Sequence, residues 1–101
     1  MTLKELLKTC YKGAKDKGFW DKERNVGELL MLTTSELGEA LEAHRKGRFG
    51  LKQKDTFEDE LADCFIRLFD ICGGLGIDIE TQIKWKLNYN KTRPRLHGKQ
   101  Y

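Results

Sequence analysis

At 101 residues the chain is sized for one domain, read here as residues 1–101. Charged residues make up 35% of it and there is one proline, which favours a helical protein over an all-β one. The formal net charge of +3 is mild, no apolar run approaches the roughly 20 residues of a bilayer span, and the N-terminal "MTLKELLKTC" lacks the apolar core of a secretory leader, so the expected location is cytoplasmic with no membrane partner.

Four helices are expected in chain order. The first runs from about Thr2 to Lys17 and stops at Gly18. The second starts near Asn25, where "NVGE" sets a capping residue three before Glu28, and ends near Gly47. The third starts at "DTFE", with Asp55 as the cap and Glu58 reaching back, and ends at the glycines of "GGLG" (Gly73, Gly74, Gly76). The fourth starts near Asp78 and runs to about Asn90, because Pro94 disfavours continuation. No alternating strand pattern is convincing, so the fold class is all-α. Cys64 and Cys72 lie about 12 Å apart along one helix, too far for a disulfide. With Cys10 they read as small buried hydrophobes.

The second helix carries the first sign of chemistry. At 100° per residue, Leu29, Leu32, Ala40 and Ala43 all fall within about 40° of Glu36. Glu39 sits at the edge of the same face, one turn along. Ser35, Glu42, Arg45 and Lys46 occupy the other side. In the third helix the polar residues form one narrow stripe of Asp59, Glu60, Asp63, Arg67 and Asp70; taken alone it reads as a solvent face. Facing one another in a half-buried seam, Glu36, Glu39, Glu60 and Asp63 would repel strongly or protonate. A divalent cation resolves this, and oxygen-only donors suit Mg²⁺ or Mn²⁺. Neither His44 nor His97 stands three residues after a Glu, so the di-iron pattern is not met. Arg67, four after Asp63 and three before Asp70, is expected to pair with those acids. His44 is expected to pack rather than ligate.

The C-terminal run has the opposite charge. From Lys84 onward there are Lys84, Lys86, Lys91, Arg93, Arg95 and Lys99 and no acid. Lys86, Asn90 and Arg93 are spaced i, i+4 and i+7, a common face if the helix extends that far, and are suited to phosphate. Trp20, Phe19 and Trp85 are candidates for stacking on a base, Trp20 from a loop that suits a lid.

In these segments, "ELLMLTTSELGEALEAHRKG", "FEDELADCFIRLFDICGGLGIDIE" and "KWKLNYNKTRPRLHGK", the chain resembles the MazG-like, all-α nucleoside triphosphate pyrophosphohydrolases over about residues 19–101. The E-x-x-E, spacer, E-x-x-D signature reads Glu36, Glu39, Glu60 and Asp63. The family's C-terminal Lys, Asn and Arg read Lys86, Asn90 and Arg93, and the ending His97, Gly98, Lys99 resembles the short, phage-type members. The resemblance implies a four-helix bundle completed by dimerisation, as a homodimer or homotetramer. It also implies Mg²⁺ on the four acids and hydrolysis of a nucleoside or deoxynucleoside triphosphate to the monophosphate and pyrophosphate. Such enzymes clear surplus or non-standard nucleotides. One of the acids, with Glu39 the first candidate, is expected to orient or deprotonate water. Lys86, Asn90, Arg93, Lys99 and Trp20 are the expected substrate contacts. Two other readings compete: a non-enzymatic helical dimer that binds nucleic acid through the basic tail, and a structural bundle stabilised by a cation without turnover.

Overall fold

The computed structural model describes residues 1–100 as four α-helices and one short 3₁₀ turn, with no strand among them. Helix α1 spans Leu3–Asp16, α2 Val26–Arg45, α3 Phe57–Leu75 and α4 Ile79–Lys91, followed by the turn Arg95–Gly98. The all-α class is as expected from the sequence.

Local chemistry sets the ends. Thr2 caps α1 by accepting from Glu5 N at 3.1 Å, and Asn25 caps α2 by accepting from Glu28 N at 2.9 Å. Asp78 caps α4 through Thr81 N at 3.1 Å. Each side chain satisfies one of the free N–H groups that a helix start leaves open. At α3 the cap is Thr56, whose hydroxyl accepts from Asp59 N at 3.2 Å, and not Asp55. Asp55 has a left-handed φ of 64° and donates its N–H to Asp59 Oδ2 at 2.9 Å. Glu58 does reach back, but to Gly50 N at 2.9 Å.

Helix α3 is the centre. It packs against α1 on one side and α2 on the other, antiparallel to both. The least exposed residues of α1 are Leu3, Leu7, Cys10, Tyr11 and Ala14, a repeat of three and four that makes one stripe. Leu29, Ala40 and Ala43 of α2 bury against α3, where Cys64, Ile71 and Cys72 are buried in turn. Full burial of a Leu or Ile contributes about 1.5–3 kcal/mol. All three cysteines are free thiols.

The third helix ends within its glycine segment, as expected, at the last of the three. It runs through Gly73 and Gly74 to Leu75, and Gly76 (φ 68°) is the left-handed cap. The two inner glycines allow close approach. A Cβ on Gly73 would lie 2.5 Å from Tyr11 Cβ, and one on Gly74 would enter the edge of the Trp20 ring. Alanine is better in a helix by about 1 kcal/mol, whereas overpacking costs about 1–3 kcal/mol. Gly74→Ala is therefore expected to destabilise. Each kcal/mol lowers Tm by about 4–8 °C in a domain this size. An unchanged or raised Tm in a thermal melt would show that Trp20 does not pack on this helix.

Helix α4 departs from this layer and packs comparably against none of the other three. The result is an extended protomer. Its radius of gyration is 16.0 Å, against about 13 Å for a compact chain of this length. Its accessible surface is 8108 Å², whereas a monomer of 11.8 kDa is expected to expose about 5,900 Å², an excess of about 2,200 Å². Much of what is exposed is apolar: Phe65 is 58% exposed and Trp85 56%, with Leu30, Met31, Leu37 and Leu68 beside them in class. No helix among the described residues is long and apolar enough to cross a membrane.

Candidate functional site

The stripe of α3 that could be taken for a solvent face is its inner one. Glu60 is buried, at 7% exposure, while Asp59, Asp63, Arg67 and Asp70 are half-buried. The antiparallel pairing brings this stripe against the acid-bearing face of α2. Oxygens of Glu36, Glu60 and Asp63 lie within 4.8 Å of one another. Glu39 stands within hydrogen-bonding reach of Glu60 and raises its pKa. Helix periodicity alone places Glu36 between Leu29 and Ala43 on the face of α2; the tertiary fold adds the two carboxylates opposite.

Glu60 is the most constrained member. Its Oε2 is buried and has no hydrogen-bond partner. Burial pushes its pKa up from 4.5 to about 7, helped by the contact with Glu39 and the charges of Glu39, Asp63 and Glu36. Two carboxylates cannot hydrogen-bond without a proton between them, so in the absence of a cation this pair holds one near neutral pH. The Asp63 carboxyl is also pushed up, chiefly by burial and then by Glu36 and Asp59, against the opposing pull of Lys54 and Arg67. Glu39 is exposed at the mouth of the seam.

Arg67 bonds across the interface, not along its own helix. Its Nε donates to Glu36 Oε1 at 2.9 Å. The expected partners Asp63 and Asp70 lie within one turn of it, but Asp70 accepts from Trp20 Nε1 at 2.7 Å. The guanidinium reaches across to Glu36, which with 13% of its side chain exposed has lost most of its water and gains from a charged donor.

Beside the acids, between α1 and α2 and floored by α3, lies a recess of about 590 Å³. Its walls are mainly apolar, with Leu29, Leu32, Ile66 and Ile71, and Glu36 and Asp63 reach into it. Cys10, Lys17, Phe19 and Arg24 close the α1 side. That is the character of a small-molecule site: concave, largely apolar, with a few polar groups converging. Nothing in the spacing of α1 residues announces it, because the recess exists only where two helices flank a third.

The other expected substrate residues lie elsewhere. Trp20 is held in the α1–α3 packing, edge-on to Tyr11 at 5.8 Å between centroids and bonded to Asp70. Helix α3 rises about 18 Å from Asp63 to Leu75 before α4 begins, and α4 does not fold back along the seam. Lys86 Nζ stands 4.8 Å over the Tyr89 ring and Arg93 6.0 Å from it. Arg93 is beyond the end of α4, so the shared helical face reaches only from Lys86 to Asn90. Asn90 Oδ1 is buried without a partner. Lys99 and His97 follow in and after the terminal turn. One protomer thus brings together the four acids and Arg67, but not the basic residues of α4. His44, expected to pack, is exposed but makes edge-on ring contacts with Phe49 at 5.4 Å and Phe57 at 5.3 Å.

No family model, curated protein or solved structure matches this chain.

Proposed function

We propose that the chain is a divalent-cation-dependent hydrolase that cleaves nucleoside or deoxynucleoside triphosphates to the monophosphate and pyrophosphate. The observation that carries this reading is Glu60, a buried carboxyl with an unpartnered oxygen among three other carboxyls. A structure stabilised only by its own contacts leaves such a group unexplained. Glu36, Glu39, Glu60 and Asp63 supply only oxygen donors, which fits Mg²⁺, with Mn²⁺ as the alternative. When bound, the cation supplies positive charge to phosphate oxygens and acidifies nearby water. The adjoining recess is suited to a nucleoside, with its phosphates directed at the acids. Glu39, the exposed member, is placed to orient water or take its proton.

In this reading a second copy completes the bundle. The apolar outer faces of α3 and α4 and the excess surface of about 2,200 Å² support it, since permanent dimers bury about 2,000 Å² or more. Lys86, Asn90, Arg93 and Lys99 then serve phosphate only in the assembled form, because in one chain they are remote from the seam. A MazG-like arrangement, a cytoplasmic location and a role in clearing surplus nucleotides belong to the same proposal.

The test is pyrophosphate release from a panel of standard and modified NTPs and dNTPs, with Mg²⁺, Mn²⁺ or EDTA. Release is expected only with metal, and Glu39→Gln is expected to lower it by about 10²–10⁴-fold. No release from any nucleotide, with metal still raising Tm, would leave a cation-stabilised structural bundle instead.

One feature favours a second reading. Trp85 and Tyr89 stack at 5.6 Å with planes 10° apart on the free helix α4, beside Lys86. Aromatic faces among cations form a platform for single-stranded nucleic acid. Salt-dependent binding of an oligonucleotide, unaffected by Glu36→Gln, would support it.

A further inference from the structure

The carboxylate seam has one cation bonded to it. Arg67 Nε donates to Glu36 Oε1 at 2.9 Å, which uses one of the five N–H donors of a guanidinium. Among the described residues, Nη1 and Nη2 have no hydrogen-bond partner. The side chain is 39% exposed and lines the recess together with Glu36, Asp63 and Asp70. The side chain thus stands at the junction of the acids and the cavity.

We infer that Arg67 is a substrate-binding residue, and that its free Nη fork receives a non-bridging oxygen of a polyphosphate at the mouth of the recess. This rests on the proposed triphosphate reading and names the contact that would admit so anionic a ligand. Glu36, Asp63 and Asp70 line the recess, Glu39 and Glu60 adjoin it, and the ligand is itself polyanionic. A fixed positive charge at the boundary reduces that repulsion. The planar fork matches two oxygens of a phosphate, and the bond to Glu36 keeps it aimed while its own free donors stay available. The basic residues of α4 do not supply this charge within one chain, and Lys17 and Arg24, which also line the recess, form no ion pair with the acids among the described residues, whereas Arg67 does.

An alternative role for Arg67 is a structural ion pair that only neutralises Glu36. The two roles move different quantities. Removing a positive charge beside the acids makes them a better cation site and a worse anion site. A structural role would lower stability without selective loss of anion binding. The experiment is calorimetric titration of the full chain, first with Mn²⁺ alone, then with tripolyphosphate with and without Mn²⁺. Wild type, Arg67→Gln and Arg67→Lys are compared, with circular dichroism as the control for folding. Arg67→Gln is expected to bind Mn²⁺ at least as tightly as wild type. It should bind tripolyphosphate about 10–100-fold more weakly, the size of one charge-assisted hydrogen bond. Arg67→Lys, which keeps the charge but not the fork, should fall between. Wild-type affinity for tripolyphosphate in Arg67→Gln, or in Arg67→Lys if the glutamine variant does not fold, overturns the inference and leaves the cation reading intact. Absence of Mn²⁺ binding by wild type defeats the cation reading separately, because tripolyphosphate binding without metal still reports on Arg67.

Discussion

Glu60→Gln is expected to stabilise the metal-free protein at pH 8 and to abolish its response to metal. The sign follows from the raised pKa of Glu60, about 7 in the folded chain against 4.5 ordinarily. Between those values the unfolded chain has lost its proton and the folded chain retains it. Stability of the metal-free protein therefore falls as pH rises from about 4.5 through about 7, then levels off. Asp63, whose pKa is also raised, adds to the same slope. A neutral glutamine removes the Glu60 part, so the variant should melt higher than wild type in EDTA at pH 8, by about 4–8 °C for each kcal/mol of relieved repulsion. Metal binding needs ionised carboxylates. Added Mg²⁺ or Mn²⁺ should raise the wild-type Tm more at pH 8 than at pH 6 and leave the variant unmoved. Thermal melts over this pH range decide it. A variant that melts lower than wild type in EDTA at pH 8, or that still responds to metal, would mean that Glu60 is not the strained member of the site.

The second large effect concerns assembly. Phe65, 58% exposed on the outward face of α3 beside Leu68, is expected to lie inside an interface between two copies. Placing a charge there by Phe65→Glu would bury two unpaired carboxylates per dimer, each costing several kcal/mol. Dissociation should strengthen by at least about 100-fold, since every 1.4 kcal/mol is tenfold. Sedimentation should find wild type at twice its 11.8 kDa chain mass or a larger multiple at micromolar concentration, and the variant at the chain mass. A wild-type monomer under those conditions would remove the dimer from the proposal. It would also leave the basic residues of α4 without a route to the acids. If the dimer forms, pyrophosphate release should fall on dissociation, because those residues then lose contact with the site.

Much of the architecture was legible along the chain. The caps at Asn25 and Asp78, the stop near Gly47 and the 3.6-residue repeats are local, and local hydrogen bonds and sterics decide them. The placement of Glu36 on an apolar face needed nothing more than helical geometry. The cap of α3 is Thr56 and not the neighbouring Asp55, because both are capping types and only the backbone decides which side chain meets Asp59 N. The helix end at "GGLG" is legible too, but not which of its glycines takes the cap. Gly73 and Gly74 stay helical and lie close against Tyr11 and Trp20, and Gly76 takes the left-handed cap.

Residue spacing is enough to specify an all-helical chain with two i, i+3 acid pairs, one of them set among apolar neighbours. It can do so because helix periodicity is a property of residues three and four apart. The tertiary structure alone decided which stripe of α3 turns inward, why Glu60 Oε2 is left without a partner, and where the recess lies. It also chose the partners of Arg67, 31 positions from Glu36, and of Trp20, 50 positions from Asp70. Those pairings depend on which faces meet when three helices share one core, and no spacing within a helix carries that information.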